Sequence, residues 1–162
     1  MNLHLREALP SDLPFLREML YEAVFWRASL TKPSFEEGLA YPEVSKELAD
    51  WGARERDTAV IATMDSLPVG AAWFRCWTDD DSMRGYVDQR TPVLAIGVHR
   101  DYRRQGIGGT MIDWLVDAAR RQSIPIISLC VSKDNYALAL YRQKGFREYA
   151  DIGDSLIMVR RV

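Results

Sequence analysis

Apolar and polar positions alternate with two different periods along the chain, and each period predicts an element. Residues 2–8 ("NLHLREA") alternate every second residue, as in an edge or half-exposed strand. The next segment predicts a helix, with Ser11 as its cap and Asp12 in its first turn. Its apolar residues recur at helical spacing: Leu13, Leu16, Leu20 and Val24. A shorter helical segment is expected around 34–51, although Pro33, Gly38 and Pro42 punctuate it.

From residue 58 the pattern changes to that of strands. The segments 58–64 ("TAVIATM") and 71–77 ("AAWFRCW") predict a hairpin of two antiparallel strands. Residues 78–92 form a polar connector. The runs 93–98 ("VLAIGV") and 124–131 ("IPIISLCV") are continuously apolar, as expected for strands that are covered on both faces.

One amphipathic helix lies between these two apolar runs. Its apolar face carries Ile107, Met111, Leu115 and Ala118, and its polar face carries Asp113, Asp117, Arg120 and Arg121. The spacing of Asp117 and Arg121 predicts an ion pair between positions i and i+4. Strand, helix and strand in this order predict a parallel β-α-β unit.

A further helix is predicted over 136–144, ending at Gly145, and two strands follow it at 146–150 and 155–162. The order of elements predicts an α/β (α+β) fold in a single domain over residues 1–162. Its sheet is expected to be mixed and mostly antiparallel, with the central parallel unit flanked by helices.

Composition excludes several classes of protein. The 162 residues are 48% apolar and 27% charged, as in soluble globular domains, and no apolar run is long enough for a membrane span. The N-terminus lacks the pattern of a secretory signal, so the cytoplasm is expected. A net charge of −2 argues against nucleic-acid binding. Cys76 and Cys130 lie in apolar runs and are expected to be reduced, and with His4 and His99 far apart no metal site is predicted.

Residues 99–114 ("HRDYRRQGIGGTMIDW") combine arginines with glycines before the amphipathic helix. The first amides of a helix lack intrahelical partners and attract anions, and glycines leave those amides uncovered. The alternative is that the glycines let the helix pack closely and that the arginines are solvated. A dinucleotide fingerprint and a Walker loop are both excluded by spacing, so the segment predicts a different phosphate site.

Two motifs resemble those of the GNAT superfamily of N-acetyltransferases. The segment 103–108 ("RRQGIG") is similar to the signature Arg/Gln-x-x-Gly-x-Gly/Ala. The segment 134–146 ("DNYALALYRQKGF") resembles a second signature through Asn135, Ala137, Tyr141, Gly145 and Phe146. The order of elements is also that of the superfamily.

The resemblance implies an N-acetyltransferase that uses acetyl-coenzyme A as cosubstrate and no metal. The acceptor would be a primary amine of a small molecule or peptide, and a homodimer stays open. The pyrophosphate would rest on the amides of 104–110, and the pantetheine arm would pair with 96–98. The implied cofactor-binding residues are Ile96, Gly97, Val98, Arg103, Arg104, Gln105, Gly106, Ile107, Gly108, Gly109, Thr110, Asn135 and Tyr141. Gly97 marks either a close backbone approach or a glycine tolerated for packing.

The resemblance also implies two catalytic groups. Tyr141 would protonate the leaving thiolate, since a phenol has an ordinary pKa of about 10; the alternative is a half-buried packing residue. The amide of Val98 would polarise the thioester carbonyl. Asn135 would contact the cofactor or its water, although many relatives place the asparagine where this chain has Asp134.

The general base is where the sequence departs from the family pattern. Many relatives carry a glutamate near the start of the central strand, but residues 90–98 contain no carboxylate. Asp88, Glu22 or a chain of water molecules stay open as proton acceptors. His99 is expected on the cofactor or solvent side rather than as the base.

The acceptor pocket in this fold is usually formed by the first helices and by the connector before the central strand. Aromatic residues there are Tyr21, Phe25, Trp26, Tyr41, Trp73 and Trp77. The sequence favours core packing for these rings and a solvated loop for Asp79, Asp80 and Asp81. A different function is also open: a sensor that binds acyl-coenzyme A without turnover.

Overall fold

The computed structural model describes residues 2–28 and 31–162, and its strands form one seven-stranded sheet. The sheet has the strand order β1-β2-β3-β4-β5-β7-β6. Short 3₁₀ turns at Pro10–Asp12 and Arg100–Tyr102 precede α1 and α4. The elements are β1 Leu3–Glu7, α1 Leu13–Val24, α2 Phe35–Ala40, α3 Pro42–Ser45, β2 Thr58–Met64, β3 Leu67–Arg75, β4 Val93–Val98, α4 Ile107–Arg121, β5 Ile126–Ser132, α5 Ala137–Gln143, β6 Arg147–Asp151 and β7 Ser155–Arg161.

The pairing of neighbouring strands is antiparallel everywhere except between β4 and β5. This confirms the predicted mixed sheet with one parallel β-α-β unit. The ladder between β4 and β5 has a single register pair, Val93 opposite Ser128. The Ser128 amide donates to the Pro92 carbonyl at 3.0 Å. Beyond this point the two strands separate, and a gap opens in the middle of the sheet.

Helices cover both faces of the sheet. On one face α4 packs its apolar side onto the sheet, and the side chains of Leu94, Ile96 and Val98 belong to this cluster. On the other face α1 packs with the residues Leu16, Met19 and Leu20 against Ile61, Ala71, Trp73 and Ala95. Alternate residues of β4 therefore contribute to opposite cores, as the pleat of a strand requires.

The start of α1 differs from its prediction. Ser11 lies within the 3₁₀ turn, and Asp12 is the residue that precedes the helix. The Asp12 carboxylate accepts hydrogen bonds from the Leu9 amide at 2.7 Å and from Arg6 Nη1 at 2.7 Å. Ser11 is thus not the cap, because the carboxylate closes the turn instead.

Two other boundaries are also shifted. The segment predicted as one helix divides into α2 and α3, because Pro42 lacks an amide and begins a new turn. The second strand of the hairpin begins at Leu67 rather than at 71, directly after a two-residue turn. Asp65 and Ser66 both have positive φ, 50° and 73°, as the tightest hairpin turns require.

The polar face of α4 pairs differently from the prediction. Asp117 accepts a hydrogen bond from Arg120, three residues on, at 2.9 Å. Arg121 instead lies 5.9 Å from the centre of the Trp114 ring. The predicted pair of Asp117 with Arg121 is therefore wrong, since the indole face competes for that guanidinium.

The end of α5 agrees with its prediction, because Gly145 follows it with φ of 89°. Cys76 and Cys130 are free and partly buried, and burial raises the pKa of both thiols. Across residues 2–28 and 31–162, every helix is too short or too polar to cross a bilayer.

Candidate active site

A cleft of about 1000 Å³ occupies the gap between β4 and β5. It is lined by the end of α1, by α3 and the turn after it, by residues 82–84, by β4, by the loop into α4, by the end of β5 and by α5. Residues predicted from the two motifs meet there: Ile96, Gly97, Val98, Arg103, Arg104, Gly106, Ile107, Gly108, Gly109, Asn135 and Tyr141. Residues of both motifs therefore face one space.

One edge of β4 carries backbone groups that point into the gap. The His99 amide donates to the Val69 carbonyl on β3 at 2.7 Å, whereas the Pro92 carbonyl faces β5. Because peptide groups alternate along a strand, the peptide groups of Ile96 and Val98 point into the gap. The Val98 carbonyl accepts a hydrogen bond from Arg103 Nε at 3.0 Å. The amides of Ile96 and Val98 are thus placed to bind an extended ligand.

Gly97 is a glycine because of α1. A Cβ atom at this position would lie 2.1 Å from the Met19 carbonyl oxygen, which belongs to the backbone of α1. The close backbone approach that the sequence indicates is thus made by a helix of the protein. The edge of β4 that faces β5 stays open to the cleft.

The first turn of α4 carries uncovered amides. Gly106 adopts φ of 84°, which is readily available to glycine, and the first intrahelical bond runs from the Thr110 amide to the Gly106 carbonyl at 3.2 Å. The amides of Ile107, Gly108 and Gly109 therefore have no intrahelical partner. These three residues line the cleft, and the helix dipole makes their amides a favourable site for an anion.

Gly109 also lets the end of α5 approach α4 closely, whereas Gly108 has room for a Cβ atom. A Cβ atom on Gly109 would lie 3.0 Å from Lys144 Cε, and one on Gly108 would lie 3.4 Å from Leu140 Cδ2. The alternative that the glycines allow close packing of the helix is therefore supported, but its packing partner is the end of α5 and not the sheet. The same turn therefore offers uncovered amides to an anion and allows close packing against α5.

The two arginines of the loop have different environments. Arg103 is engaged by the protein, because its guanidinium also binds Glu22 Oε2 at 3.0 Å. Arg104 lies 5.0 Å from the centre of the Tyr136 ring and forms no ion pair with the described residues. Arg103 therefore fixes the loop against β4 and α1, and Arg104 keeps its charge available to a ligand.

Two predicted cofactor residues do not line the cleft. Gln105 is exposed, and the hydroxyl of Thr110 donates to the Gly106 carbonyl at 2.9 Å. The Thr110 side chain thus reinforces the first turn of α4. Neither Gln105 nor Thr110 is among the residues that line the cleft.

Tyr141 lies on α5, facing the cleft. Its ring packs edge-on against Phe146, with ring centres 6.0 Å apart. Burial raises the pKa of the phenol above its ordinary value, and nearby Tyr136 acts in the same direction. The hydroxyl therefore stays protonated at neutral pH, as a proton donor must.

Asn135 and Asp134 have structural partners. The Asn135 side-chain oxygen accepts a hydrogen bond from the Ala137 amide at 2.8 Å, which satisfies a free donor at the start of α5. Asp134 accepts two hydrogen bonds from Arg27, and these bonds lower the pKa of its carboxyl. Asn135 lines the cleft, so its amide nitrogen remains the part available to a ligand.

The bases suggested by the sequence are poorly placed. Glu22 lines the cleft, but its carboxylate is bound to Arg103. Asp88 does not line the cleft, and its carboxylate accepts a hydrogen bond from the Arg90 amide at 2.9 Å. His99 also lies outside the lining and accepts a hydrogen bond from the Asp101 amide at 3.3 Å. Its placement agrees with the prediction that His99 is not the base.

Most of the aromatic residues considered for an acceptor pocket are packing residues. Trp73 and Trp77 are buried in the interior, while Tyr21 and Phe25 pack together with ring centres 5.0 Å apart. Of the six, Trp26 lines the cleft. Asp79 accepts a hydrogen bond from Tyr86, which raises the pKa of that phenol to about 12, and Asp81 pairs with Lys46 and Arg54.

Sequence reasoning missed Glu47. This residue follows α3, is 7% exposed and lines the cleft. Its Oε1 atom accepts a hydrogen bond from the Trp73 indole at 3.0 Å. Its neighbours in sequence, "SKELAD", have the polar character of a solvated turn, so no local signal distinguishes it.

The chain is similar in sequence to a known N-acetyltransferase. An uncharacterised N-acetyltransferase of Methanocaldococcus jannaschii is 27% identical over 111 residues, which are 67% of this chain and 47% of that protein. The chain thus spans about half the length of that relative.

Solved structures share the fold. The PaiA N-acetyltransferase of Thermoplasma acidophilum, crystallised with coenzyme A, superposes with a TM-score of 0.72 at 17% identity, covering 100% of both chains. The acetyltransferase YncA of Salmonella typhimurium, with acetyl-CoA, gives 0.67 at 21% identity, covering 98% of this chain and 93% of that one. The profile of the acetyltransferase (GNAT) family matches residues 21–146. The chain therefore belongs to the GNAT acetyltransferase family.

Proposed function

We propose that this protein transfers the acetyl group of acetyl-coenzyme A directly to a primary amine of a small molecule or peptide. The observation that carries the proposal is the meeting of three features in one cleft. These are the open edge of β4, the uncovered amides of α4 and the hydroxyl of Tyr141. Each feature matches a different part of the thioester cosubstrate.

The donor side of the site is built for an anionic group that continues into an extended chain. The amides of Ile107, Gly108 and Gly109 suit a pyrophosphate, with the charge of Arg104 beside them. The peptide groups of Ile96 suit the amide groups of a pantetheine arm, and the Val98 amide is left for the thioester carbonyl. Two structures of the same fold were crystallised with coenzyme A and with acetyl-CoA, which supports acetyl-coenzyme A as the donor.

The chemistry needs a polarised carbonyl and a proton for the leaving thiolate. Acetyl-coenzyme A supplies the activated acetyl group as a thioester. The Val98 amide would stabilise the negative charge that develops on the carbonyl oxygen. Tyr141 would donate its phenolic proton to the departing sulfur.

A calorimetric titration with acetyl-coenzyme A, followed by thiol release with a panel of amines, tests the proposal. Binding is expected, and pantetheine alone should bind far more weakly because the α4 amides and Arg104 then lack their anionic partner. At least one primary amine should release free thiol. Absence of binding would refute the donor site, and binding without thiol release from any amine would indicate a sensor.

A further inference from the structure

Glu47 is held at the cleft by a buried polar network. Arg75 is 0% exposed, and its Nε atom bonds to Asp57 Oδ1 at 2.8 Å. The same guanidinium donates to the backbone carbonyls of Glu47 at 3.3 Å, Ala49 at 2.7 Å and Asp50 at 3.2 Å. Arg75 therefore fixes the turn that carries Glu47, while Asp57 balances its charge.

The Glu47 carboxylate has one bound oxygen and one free oxygen. Oε1 accepts from Trp73, and Oε2 has no hydrogen-bond partner among the described residues. In the described chain, Trp77 Nε1 is the one fully enclosed side-chain polar atom without a partner. Oε2 is thus not fully enclosed, and Glu47 is one of the residues that line the cleft.

The charges around Glu47 are largely paired with other groups. Arg75, Arg54 and Lys46 are within electrostatic reach, but Arg75 is bound to Asp57, and the other two lie beside Asp81. The remaining charged residues of the same lining are Glu22, Arg27, Glu43, Arg84, Arg103 and Arg104. Burial raises the pKa of the Glu47 carboxyl, although Trp73 and Arg75 oppose this. A carboxylate of this kind is a stronger base than an exposed one.

Glu47 and Tyr141 approach the cleft from opposite faces of the sheet. Trp73, which holds Glu47, pairs in register with Ala95 on β4 and belongs to the α1 face. Tyr141 packs against the cluster on the α4 face. Because β4 and β5 separate, one cleft reaches both faces. An amine and a leaving thiolate can therefore meet different residues on the two sides of one thioester.

We propose that Glu47 is the general base that takes a proton from the acceptor's ammonium group; this rests on the proposed function. The neutral amine then attacks the thioester carbon, forming the carbon–nitrogen bond. As the carbon–sulfur bond breaks, sulfur takes the Tyr141 proton. The nitrogen then loses a second proton, which passes to the Tyr141 phenolate and restores the phenol. The proton on Glu47 leaves to solvent, so one proton is released per acetyl group transferred.

Glu47→Gln tests this role with two probe amines that differ in basicity. Butylamine is protonated at neutral pH and needs a base, whereas trifluoroethylamine is largely neutral there. The variant should lower kcat/KM for butylamine by about 10²–10³-fold and for trifluoroethylamine by less than about 10-fold. The acidic limb of the butylamine profile should move to the much higher pH at which the free amine itself loses its proton. Glu55→Gln, the same change at an exposed site, should leave both rates unchanged.

The outcomes separate this inference from the proposed function. Equal losses for both probes would make Glu47 a structural residue, and unchanged rates would place the base elsewhere; either result overturns the inference alone. A wild-type protein that binds acetyl-coenzyme A but releases thiol with no amine would overturn both. Acetyl-coenzyme A affinity, measured by calorimetry, should be the same in wild type and Glu47→Gln.

Trp73→Phe provides a second test that keeps the carboxylate, in case Glu47→Gln does not fold. The indole hydrogen bond lowers the pKa of Glu47, so its removal should move the acidic limb of kcat/KM to higher pH. An unmoved limb would contradict the assignment.

Discussion

The two walls of the cleft are built in different ways. The wall that is proposed to bind acetyl-coenzyme A, here called the donor wall, comes from one continuous stretch, 96–146, in which helix amides and glycines face the cleft. The opposite wall depends on Glu47, Asp57, Trp73 and Arg75, which are separated by up to 28 residues. A donor that is a fixed molecule can be bound by a local motif. The opposite wall, which is proposed to meet the acceptor, relies on long-range contacts, and these leave no motif.

Breaking the network of the opposite wall should have the largest effect on stability. Arg75→Met leaves the Asp57 carboxylate buried without its partner and removes a donor from three carbonyls. The free energy of unfolding should fall by about 3–5 kcal/mol. Equilibrium unfolding in urea, followed by tryptophan fluorescence, measures this loss.

Arg120→Met is the matched control on the donor wall. Its ion pair with Asp117 is exposed, so removal should cost less than about 1 kcal/mol. Equal losses for the two variants would remove the contrast between the walls.

A pair of glycine substitutions should have intermediate effects. Gly97→Ala forces the new Cβ against the Met19 carbonyl and should cost about 1–3 kcal/mol, because α1 must shift. Gly108→Ala places its Cβ at ordinary contact distance from Leu140 and should leave the melting temperature unchanged or slightly higher. Thermal melts of both variants measure the difference. A larger loss for Gly108→Ala would show that the contact of Gly108 with Leu140 is tighter than that of Gly97 with α1.

The smallest effect concerns the acid that anchors α1. Arg6 lowers the pKa of Asp12 in the folded protein, so this pair stabilises the fold above the unfolded pKa of about 3.9. The stabilisation is lost as the pH falls through the lowered pKa that Asp12 has in the folded protein. Asp12→Asn should therefore cost about 0.5–1 kcal/mol at neutral pH and converge with wild type in acid.

Unfolding curves from neutral to acidic pH test this convergence. Asp113→Asn removes a more exposed bridge to Lys144 on the donor wall and should cost less than Asp12→Asn. A constant difference between wild type and Asp12→Asn at all pH values would contradict the account.

The fold and the donor wall could be predicted from the sequence because their signals are local. The change of period at residue 58 predicts the hairpin, and two apolar runs around one amphipathic helix predict the parallel unit. Gly106 and the following amides act within one turn, so spacing alone identifies them. The predicted order of strands and helices is confirmed, except that the helix predicted around 34–51 is divided into α2 and α3 and that several element ends are shifted.

Other features depend on contacts that spacing does not reveal. Arg103 matches the motif, but its partner Glu22 lies 81 residues away, so its engagement by the protein is invisible in the sequence. Gly97 is required by the backbone of α1, which precedes it by almost half the chain. Glu47 becomes a candidate base only when Trp73 and Arg75 enclose it. The residues of the opposite wall could therefore be identified only from the structure.

The most direct test of the account is the turnover of Tyr141→Phe. The variant keeps the ring that packs against Phe146 and removes only the hydroxyl that would protonate the thiolate. With an amine that wild type acetylates, kcat should fall by about 10²–10⁴-fold, while the affinity for acetyl-coenzyme A measured by calorimetry stays the same. Unchanged kcat would contradict the central claim that the two walls of this cleft carry out acetyl transfer with Tyr141 as the acid.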